Sequence, residues 1–378
     1  MMLWLILRRD CLLFIKKKCD AVILKIDLWK AYDCLDWGFI KCLLARIGLN
    51  SNMINWIMAC VEPVDYAIII NMVPSLFFRA ERGLRQGCSL SPLLFILAMN
   101  SLSLHINKAV NENMCRPLKI CRDISISHNL FVDDIILFGL LCRVTWTCYY
   151  GIIKKFQMAT GMIVNNEKYA IYHNENYQEA IEWLSELFGI KAQPIRCGMK
   201  YLGFQIKANG YTKSDWSWIL DRFNRRISAW EFRCLSLARR VVLVQSVLNQ
   251  LTVYWAHLFA IPASIIKSMN RLSTNFIWGG QADKKKFHLT KLANISLPKS
   301  MGGWGLLDMQ SFGRALLCKS LWRAIHGVGP WCNMIQAKYL RRKDLIFCYR
   351  KGMIGVPYGS SIWNSLRKIE SYFPKNHI

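Results

Sequence analysis

Short apolar runs, broken by polar residues, divide the first half of the chain into predicted strands and helices. Residues 21–26 form a β-rich apolar run that ends at Asp27, so this acid is predicted to lie at the end of a strand. Apolar residues then recur at helical spacing, at Trp37, Ile40, Leu44 and Ile47. Gly48 is placed to end that helix. The pattern predicts a strand, a turn and a helix, with Asp33 and Asp36 at the junction.

The same reasoning predicts further elements along the chain. Ser91 and Pro92 suit the N-cap and the first position of a long apolar helix over residues 92–106. The other predicted elements are a helix over 52–60, an extended pair at 66–71 and 76–79, a helix over 152–159 stopped by Thr160 and Gly161, a return to the sheet at 162–168, and a strand with a glycine break at 201–206. From Ser214 onward the pattern changes to amphipathic helices.

Two adjacent acids interrupt the apolar run at residues 129–138. Residues 130–132 and 135–138 are typical of short buried strands, which predicts a hairpin with Asp133 and Asp134 at its tip. Burying an unpaired carboxylate is costly, so this pair requires a counter-charge, a metal ion or a turn that exposes it. An ordinary polar hairpin turn is the alternative interpretation. Asp33 and Asp36 are interpreted as helix caps or ion-pair partners.

The composition of the chain gives it a strong positive charge. The chain has 378 residues, is 53% hydrophobic with 15 tryptophans, and carries a formal net charge of +26. Its length allows two or three domains, and its apolar content argues against disorder. Lysine and arginine are spread along the whole chain, which favours nucleic acid over a membrane surface as the partner. A solvated face is the alternative for any one basic helix.

The cysteines favour an intracellular protein. The 15 cysteines are an odd number, and no two are spaced as Cys-x-x-Cys, so neither a disulfide framework nor a zinc finger is predicted. We interpret them as reduced thiols and expect no disulfide-linked partner. The apolar start of the chain is too short for a membrane span and lacks a signal-peptide pattern. No other segment is expected to be long enough to cross a bilayer without charge, so no membrane partner is predicted.

Five motif blocks follow one another in a characteristic order. They are Asp27 within residues 25–33; Arg85, Gln86 and Gly87 with residues 91–95; Asp133 and Asp134 after Phe131 and Val132; Gly161 with Asn165 and Lys168; and residues 201–203. In this order they resemble the reverse transcriptases of LINE-type (non-LTR) retrotransposons. Residues 278–280, 297–299, 302–306 and 315–319 resemble the thumb and post-thumb region of the same family.

The resemblance implies an α+β fold. It would be a right-hand polymerase palm, an antiparallel sheet with packed helices, followed by an all-α thumb and a C-terminal helical segment. The implied domains are a short N-terminal remnant at 1–20, the palm at 21–206, the thumb at 207–280 and a basic, Trp-rich post-thumb region at 281–378. The family's fingers and endonuclease lie upstream of its first block, so the resemblance identifies an N-terminally truncated fragment that lacks fingers. Cys88 and Ser89 stand where the family usually has an acid and a proline.

The resemblance also implies roles for particular residues. Asp27, Asp133 and Asp134 would be catalytic and would bind two Mg²⁺ ions, with Mn²⁺ as the alternative ion. Residues implied to contact the incoming deoxynucleoside triphosphate are Tyr32, Arg85, Gln86, Gly87 and Lys168. For Tyr32 the alternative is ordinary packing, for Lys168 a solvated strand end, and for the loop at residues 82–90 a plain turn. A thumb would contact the RNA template and DNA primer through Arg222, Arg225, Arg226, Arg233, Arg239 and Arg240.

Two functional classes remain open from the sequence. The first is an RNA-directed DNA polymerase core that uses two-metal nucleotidyl transfer. The second is a catalytically inactive retroelement remnant that at most binds nucleic acid. Because closure over the substrate aligns the reacting groups, a chain without fingers is expected to bind nucleic acid with little or no DNA synthesis. The family's chemistry on chromosomal DNA leads us to expect a nuclear location.

Overall fold

The computed structural model describes residues 20–339, apart from 63, 122–123, 166, 175–176, 207–210, 232–234, 257–259, 280–286 and 328. Residues 1–19 of the predicted N-terminal remnant and all residues beyond 339 therefore lie outside the described part. The chain divides into two compact units, with the division between residues 208 and 209. The domain limits predicted at 206 and 280 stay predictions.

A six-stranded sheet forms the centre of the first unit. Its strands are β1 (Ala21–Trp29), β8 (His128–Phe131), β9 (Asp134–Leu140), β10 (Ile163–Val164), β11 (Ala170–His173) and β12 (Ala192–Pro194). The order is β12-β11-β1-β9-β8, and β10 pairs with the end of β1. All pairs are antiparallel except β11 with β12. The structure is therefore a mixture of helix and mainly antiparallel sheet, as the α+β prediction requires.

Helices cover one face of this sheet. They are α1 (Ala31–Cys34), α2 (Trp37–Arg46), α3 (Ser51–Ala59), α4 (Ser91–Asn111), α5 (Arg143–Thr160) and α6 (Gln178–Phe188). Leu24, Ile26 and Leu137 of the sheet share one hydrophobic core with Phe95 of α4 and Trp146 of α5. Burial of this apolar surface provides the main driving force for the unit.

Strand alternation separates this core from a second face that carries the acids. Ile26 pairs with Ile135 and Leu24 with Leu137 on the core side. Since successive side chains point to opposite faces, Asp27 and its partner Asp134 lie on the face away from α4 and α5. The acid pair thus belongs to the sheet face away from α4 and α5, on which Ile136 and Phe138 are also buried.

Several predicted boundaries are corrected by the structure. Strand β1 continues to Trp29, two residues past Asp27, because β10 pairs with Leu28 and Trp29. The hairpin of β8 and β9 is confirmed, but its turn holds Val132 and Asp133, while Asp134 begins β9.

Helix ends also differ from the predicted ones. Ser91 is not an N-cap: Leu90 holds that position, and Ser91 is the buried first residue of α4. Helix α5 begins at Arg143, nine residues before the predicted start, and ends as predicted at Gly161 in the left-handed conformation. Asp36 caps α2 by accepting a hydrogen bond from the Phe39 amide at 2.8 Å, which confirms its predicted capping role.

Small two-stranded sheets complete the first unit. They are β2 (Asp65–Tyr66) with β5 (Phe78–Arg79), β3 (Ile69–Ile70) with β4 (Val73–Pro74), β6 (Leu118–Cys121) with β7 (Ile124–Ile126), and β13 (Met199–Tyr201) with β14 (Phe204–Ile206). The strand predicted at 201–206 is therefore a hairpin in the structure: the predicted break at Gly203 is confirmed, but Leu202 and Gly203 reverse the chain there with positive φ angles. Of the segment 162–168, which was predicted to rejoin the sheet, only the two residues of β10 form a strand.

The second unit contains helices and no strand among its described residues. Its helices are α7 (Ser217–Glu231), α8 (Leu237–Leu243), α9 (Gln250–Ala256), α10 (Ala263–Gly279), α11 (Leu292–Ile295), α12 (Met309–His326) and α13 (Pro330–Tyr339), with a π-helical turn at Val244–Leu248. Its buried residues include Phe223, Ile227, Leu248 and Phe276. The amphipathic pattern predicted from Ser214 onward is confirmed.

One described helix is long and apolar enough to cross a membrane by length and composition. This is α4, with 21 residues and a mean hydropathy of 1.4. No such segment was predicted from the sequence, and by length and composition that prediction is wrong. Leu94, Phe95, Ala98, Leu102 and Ile106 of α4 are buried in the core of the first unit. A buried core helix of a soluble domain has the same composition.

Candidate active site

Two aspartates face each other across the central strands of the sheet. Asp27 of β1 and Asp134 of β9 are direct cross-strand partners, so their side chains share one face. Asp133 precedes Asp134 in the hairpin turn, and its carbonyl accepts a hydrogen bond from the Leu28 amide at 3.3 Å. The turn also holds Val132 at a φ of 54°, an uncommon conformation for a β-branched residue. The fold therefore gathers the three predicted acids at one end of two adjacent strands.

Asp27 is buried and is already paired with a cation. Its carboxylate Oδ2 accepts from Lys168 Nζ at 3.2 Å and from Asn165 Nδ2 at 3.4 Å. The hydrogen bond and charge of Asp27 raise the pKa of Lys168 above its ordinary value. The Asn165 amide donates to the Asp27 carbonyl at 2.8 Å, which holds the segment after β10 against β1. Lys168 is thus placed at Asp27 by the chain reversal after β10.

Asp134 has a weaker counter-charge. Lys25 Nζ lies 3.7 Å from Asp134 Oδ1, too far for a hydrogen bond, and this oxygen is buried without a hydrogen-bond partner. Burial raises the pKa of Asp134, Lys25 opposes this shift, and the negative charges of Asp133 and Asp27 add to it. Sequence reasoning missed Lys25. Its position two residues before Asp27 on the same strand was the available signal, because such residues share a face.

The donor set at this end of the sheet fits a divalent cation. Carboxylate oxygens are the ligands that Mg²⁺ prefers, and the buried, unpartnered Oδ1 of Asp134 leaves a lone pair for a cation. Within the described residues, however, no three His, Cys, Asp or Glu side chains are already grouped as a metal site. The assignment of Asp27, Asp133 and Asp134 as ligands stays a prediction.

A cavity of about 400 Å³ lies beside the hairpin turn. It brings together four of the five residues predicted to contact a nucleotide, with one of the acids, namely Tyr32, Arg85, Gln86, Gly87 and Asp133. Lys30 and Val132 also line it. Lys168, the fifth predicted residue, is not among the lining residues and instead contacts Asp27. Residues far apart in sequence therefore form one wall of charged and aromatic groups.

Ring stacking and hydrogen bonds to neighbouring segments hold the residues that line this cavity. The Tyr32 ring stacks on Phe95 of α4, with ring centroids 4.5 Å apart. Arg85 donates to the Cys60 carbonyl at 2.7 Å, and Gln86 Nε2 lies 3.4 Å from Asp33 Oδ1. Asp33 therefore orients Gln86. Cys88, near the start of α4, has its thiol pKa lowered by hydrogen bonds from Leu90 and Ser91.

Gly83 ties the loop of the cavity to the turn after β1. Its amide donates to the Leu35 carbonyl at 2.8 Å, and its carbonyl accepts from Trp37 Nε1 at 2.8 Å. Its φ is +94°, and an added Cβ would lie 2.7 Å from the Asp33 carbonyl oxygen. Only glycine meets both requirements without strain.

Gly83→Ala is therefore expected to destabilise the first unit by about 2 kcal/mol, since both the positive φ and the close approach oppose a side chain. Urea unfolding monitored by tryptophan fluorescence would measure the loss. Gly48→Ala is the matched control, because Gly48 also has a positive φ but has nothing within 4 Å of its Cβ position. Equal losses in the two variants would contradict the role given to the close approach.

The predicted nucleic-acid contacts of the second unit divide into two groups. Arg222, Arg225 and Arg226 are exposed on α7, opposite the buried Phe223 and Ile227, and Arg239 is exposed on α8. Arg240 instead donates to the Leu235 and Ile277 carbonyls at 3.1 and 3.0 Å, so its guanidinium has a structural role. Arg233 lies outside the described residues. The role of these arginines stays a prediction.

Comparison with a protein-family model identifies the class of the chain. The family described as "Reverse transcriptase (RNA-dependent DNA polymerase)" matches residues 7–206. This is more than half of the 378 residues, and the chain belongs to the reverse transcriptase family. Enzymes of this family generally use divalent metal ions.

Two curated relatives agree with this assignment. A putative ribonuclease H protein of Arabidopsis thaliana is 37% identical over 122 residues, which are 32% of this chain and 20% of that protein. An uncharacterized 149 kDa protein of transposon TX1 from Xenopus laevis is 20% identical over 355 residues, 89% of this chain and 25% of that protein. The transposon relative agrees with the LINE-type resemblance. The chain spans a quarter or less of the length of these relatives.

Two solved telomerase structures align with this chain at low similarity. The telomerase of Candida albicans, in complex with a fragment of telomeric RNA, aligns over 83% of this chain and 50% of that chain, with a TM-score of 0.38 and 11% identity. The Candida tropicalis telomerase aligns over 97% and 51%, with a TM-score of 0.39 and 15% identity.

Proposed function

We propose that the first unit is the palm of an RNA-directed DNA polymerase that adds a deoxynucleotide to a DNA primer on an RNA template. One observation carries the proposal: the cross-strand pair Asp27 and Asp134 lies next to the turn whose Asp133 lines a cavity with Tyr32, Arg85, Gln86 and Gly87. Membership of the reverse transcriptase family supports it.

Asp27, Asp133 and Asp134 would hold two Mg²⁺ ions in this proposal. When bound, such ions activate the primer hydroxyl and neutralise the charge of the leaving pyrophosphate. The chain's own residues would position the substrate. Arg85 offers a guanidinium to a phosphate, and Tyr32, fixed by Phe95, offers a rigid surface to the sugar. Lys168 Nζ lies 3.2 Å from Asp27 Oδ2 and balances part of the charge of this carboxylate before the substrate arrives.

The second unit would act as a thumb on the template and primer backbone. Four of its exposed arginines, Arg222, Arg225, Arg226 and Arg239, would neutralise phosphates. Binding would then weaken with salt, with a slope of the log–log plot of roughly −0.9 for each phosphate neutralised on B-form DNA. The net charge of +26 supports a polyanionic partner.

A second candidate function is nucleic-acid binding without synthesis. The observation in its favour is that lysines already pair with two of the three acids, Lys168 with Asp27 at 3.2 Å and Lys25 with Asp134 at 3.7 Å. A metal ion would have to compete with these cations. Cys88 also removes a charge where the family usually has an acid, beside the loop of the cavity.

A primer-extension assay separates the two functions. The purified chain would be given a labelled DNA primer on an RNA template, with the four deoxynucleoside triphosphates and Mg²⁺, and the same mixture with EDTA would serve as the control. Extension that requires Mg²⁺ is the result that the first function predicts, and it would contradict the expectation from the sequence of little or no DNA synthesis. Binding of the template and primer in a mobility-shift assay, with no extension at any concentration of Mg²⁺ or Mn²⁺, would favour the second function and overturn the first.

A further inference from the structure

A large groove lies on the helical side of the first unit, away from the acids. It has a volume of about 900 Å³ and runs between α4 and α5. Both helices pack on the sheet face that carries Leu24 and Ile26, whereas Asp27 points to the other face. The groove therefore does not belong to the candidate active site.

The shape of the groove suits an elongated ligand. Its walls follow α4 over residues 101–112 and α5 over residues 143–159. At a rise of 1.5 Å per residue these segments are about 16 and 24 Å long. A helix of about 11 to 16 residues has the same length, and binding of one amphipathic helix between two others is a common mode of peptide recognition.

The groove combines an apolar floor with a basic rim. Apolar side chains that line it include Phe39, Ile152, Met114 and Val144, and the last two are 43% and 64% exposed. Its charged lining residues are three cations and one acid: Lys108, Arg143, Lys155 and Glu112. Glu112 is 3.8 Å from Lys108 and neutralises part of that charge. An apolar strip between cations matches a helix with an apolar stripe flanked by acidic residues.

The same charge argues against other occupants. A second copy of this chain would present another basic surface, and each copy carries a net charge of +26. A nucleic-acid backbone would place phosphates against the apolar floor, which would desolvate them without a hydrogen-bond partner.

Gly151 opens the floor of the groove. It lies inside α5, where glycine costs roughly 0.5 to 1 kcal/mol relative to alanine. It lines the groove, and apart from its chain neighbours and the backbone of α5 itself no atom lies within 4 Å of the position that a Cβ would take. The floor therefore has space where a side chain of a bound helix can approach the backbone of α5.

We propose that the groove between α4 and α5 binds an acidic amphipathic helix of a partner protein. Phe39, Val144 and Ile152 contact its apolar stripe, and Lys108, Arg143 and Lys155 pair with its acidic flanks. This interaction is independent of the proposed polymerase function, because it uses the opposite side of the sheet.

The test uses a fluorescein-labelled peptide of 18 residues, with leucine at helical i, i+3, i+4 and i+7 spacing and glutamate on both flanks. Fluorescence anisotropy measures its binding to the full chain at physiological ionic strength. One control peptide has the same composition in scrambled order, and the other has lysine in place of glutamate. We expect the glutamate peptide to bind at least about tenfold more tightly than either control, a difference of about 1.4 kcal/mol.

Matched protein variants locate the site. Gly151→Leu fills the floor and is expected to weaken binding at least about tenfold, while Gly151→Ala leaves it within about threefold and stabilises α5. Lys155→Glu is expected to weaken binding, whereas Lys154→Glu, on the same helix but against the Tyr150 ring and outside the groove, is not. Thermal melts followed by circular dichroism verify that each variant folds.

Three results would overturn the proposal. Equal binding of the scrambled peptide would mean that general charge attraction accounts for the affinity. Unchanged binding to Gly151→Leu would place the peptide elsewhere. A dimer in analytical ultracentrifugation that Gly151→Leu dissociates would identify a second copy as the occupant.

Discussion

Asp134→Asn is expected to reduce Mg²⁺-dependent DNA synthesis at least about 100-fold, since loss of even an outer-shell partner of a metal ligand costs 10- to 100-fold. The amide keeps the size of the side chain but removes the charge of the buried Oδ1 that has no hydrogen-bond partner. An ion in the proposed site would then lose one of its anionic ligands. Primer extension measures the activity, with Asp65→Asn as the control, because Asp65 is an exposed acid on β2.

Thermal stability gives a second measurement that needs no activity. If the acids hold Mg²⁺, the wild-type chain gains about 1.4 kcal/mol at ten times the Kd, because the ion binds only the folded state. Asp134→Asn is expected to lose this gain, and Asp65→Asn to keep it. Stabilisation by Mg²⁺ that persists unchanged in Asp134→Asn would remove this residue from the proposed site.

Acid is expected to destabilise the first unit by about 2 kcal/mol between pH 7.5 and pH 5 through a single histidine. His128 begins β8, with its Nε2 2.7 Å from Ser103 Oγ of α4 and its Nδ1 2.9 Å from Ser127 Oγ. Burial lowers the pKa of His128 from 6.5 to about 4. The unfolded chain therefore binds more protons than the folded chain between these values. The neutral imidazole of His128 therefore leaves the stability of the first unit intact above pH 6.5, and this part of the stability is lost as the pH falls from 6.5 toward 4.

His128→Gln isolates this effect. Glutamine can keep a hydrogen bond to Ser103 but cannot take up a proton, so its free energy of unfolding should fall less than that of the wild type between pH 7.5 and pH 5. Urea unfolding at several pH values measures the difference. His105→Gln is the control, because His105 is exposed on α4, the helix that carries Ser103. Parallel pH profiles for the wild type and His128→Gln would contradict the role of His128.

Local sequence pattern predicted the position of the acids well. The apolar runs around Asp133 and Asp134 specified two strands, and the period of two fixed which residues share a face. Helix α2 and its cap Asp36 were also predictable, because capping depends on neighbours within one turn. The start of α5 was missed by nine residues. The hairpin at 201–206 was not predicted, because Leu202 takes a positive φ, which its residue type does not favour.

Partners distant in sequence could not be predicted in this way. Lys25 and Asp134 lie 3.7 Å apart only because β1 pairs with β9 in one register. A shift of that register by one residue would turn Asp134 toward the core. The contact of Lys168 with Asp27 likewise depends on the pairing of β10 with β1.

The sequence by itself determined the family, the order of its motif blocks and which acids, Asp27, Asp133 and Asp134, are the candidates for the active site. Each of these depends on residue types within short segments. Tertiary structure alone decided which acid is paired with which lysine, which residues share the cavity beside the turn, and that α4 and α5 leave a basic, apolar groove. The physical reason is that strand register and helix packing follow from burial of the whole core, and no single segment of the chain contains that information.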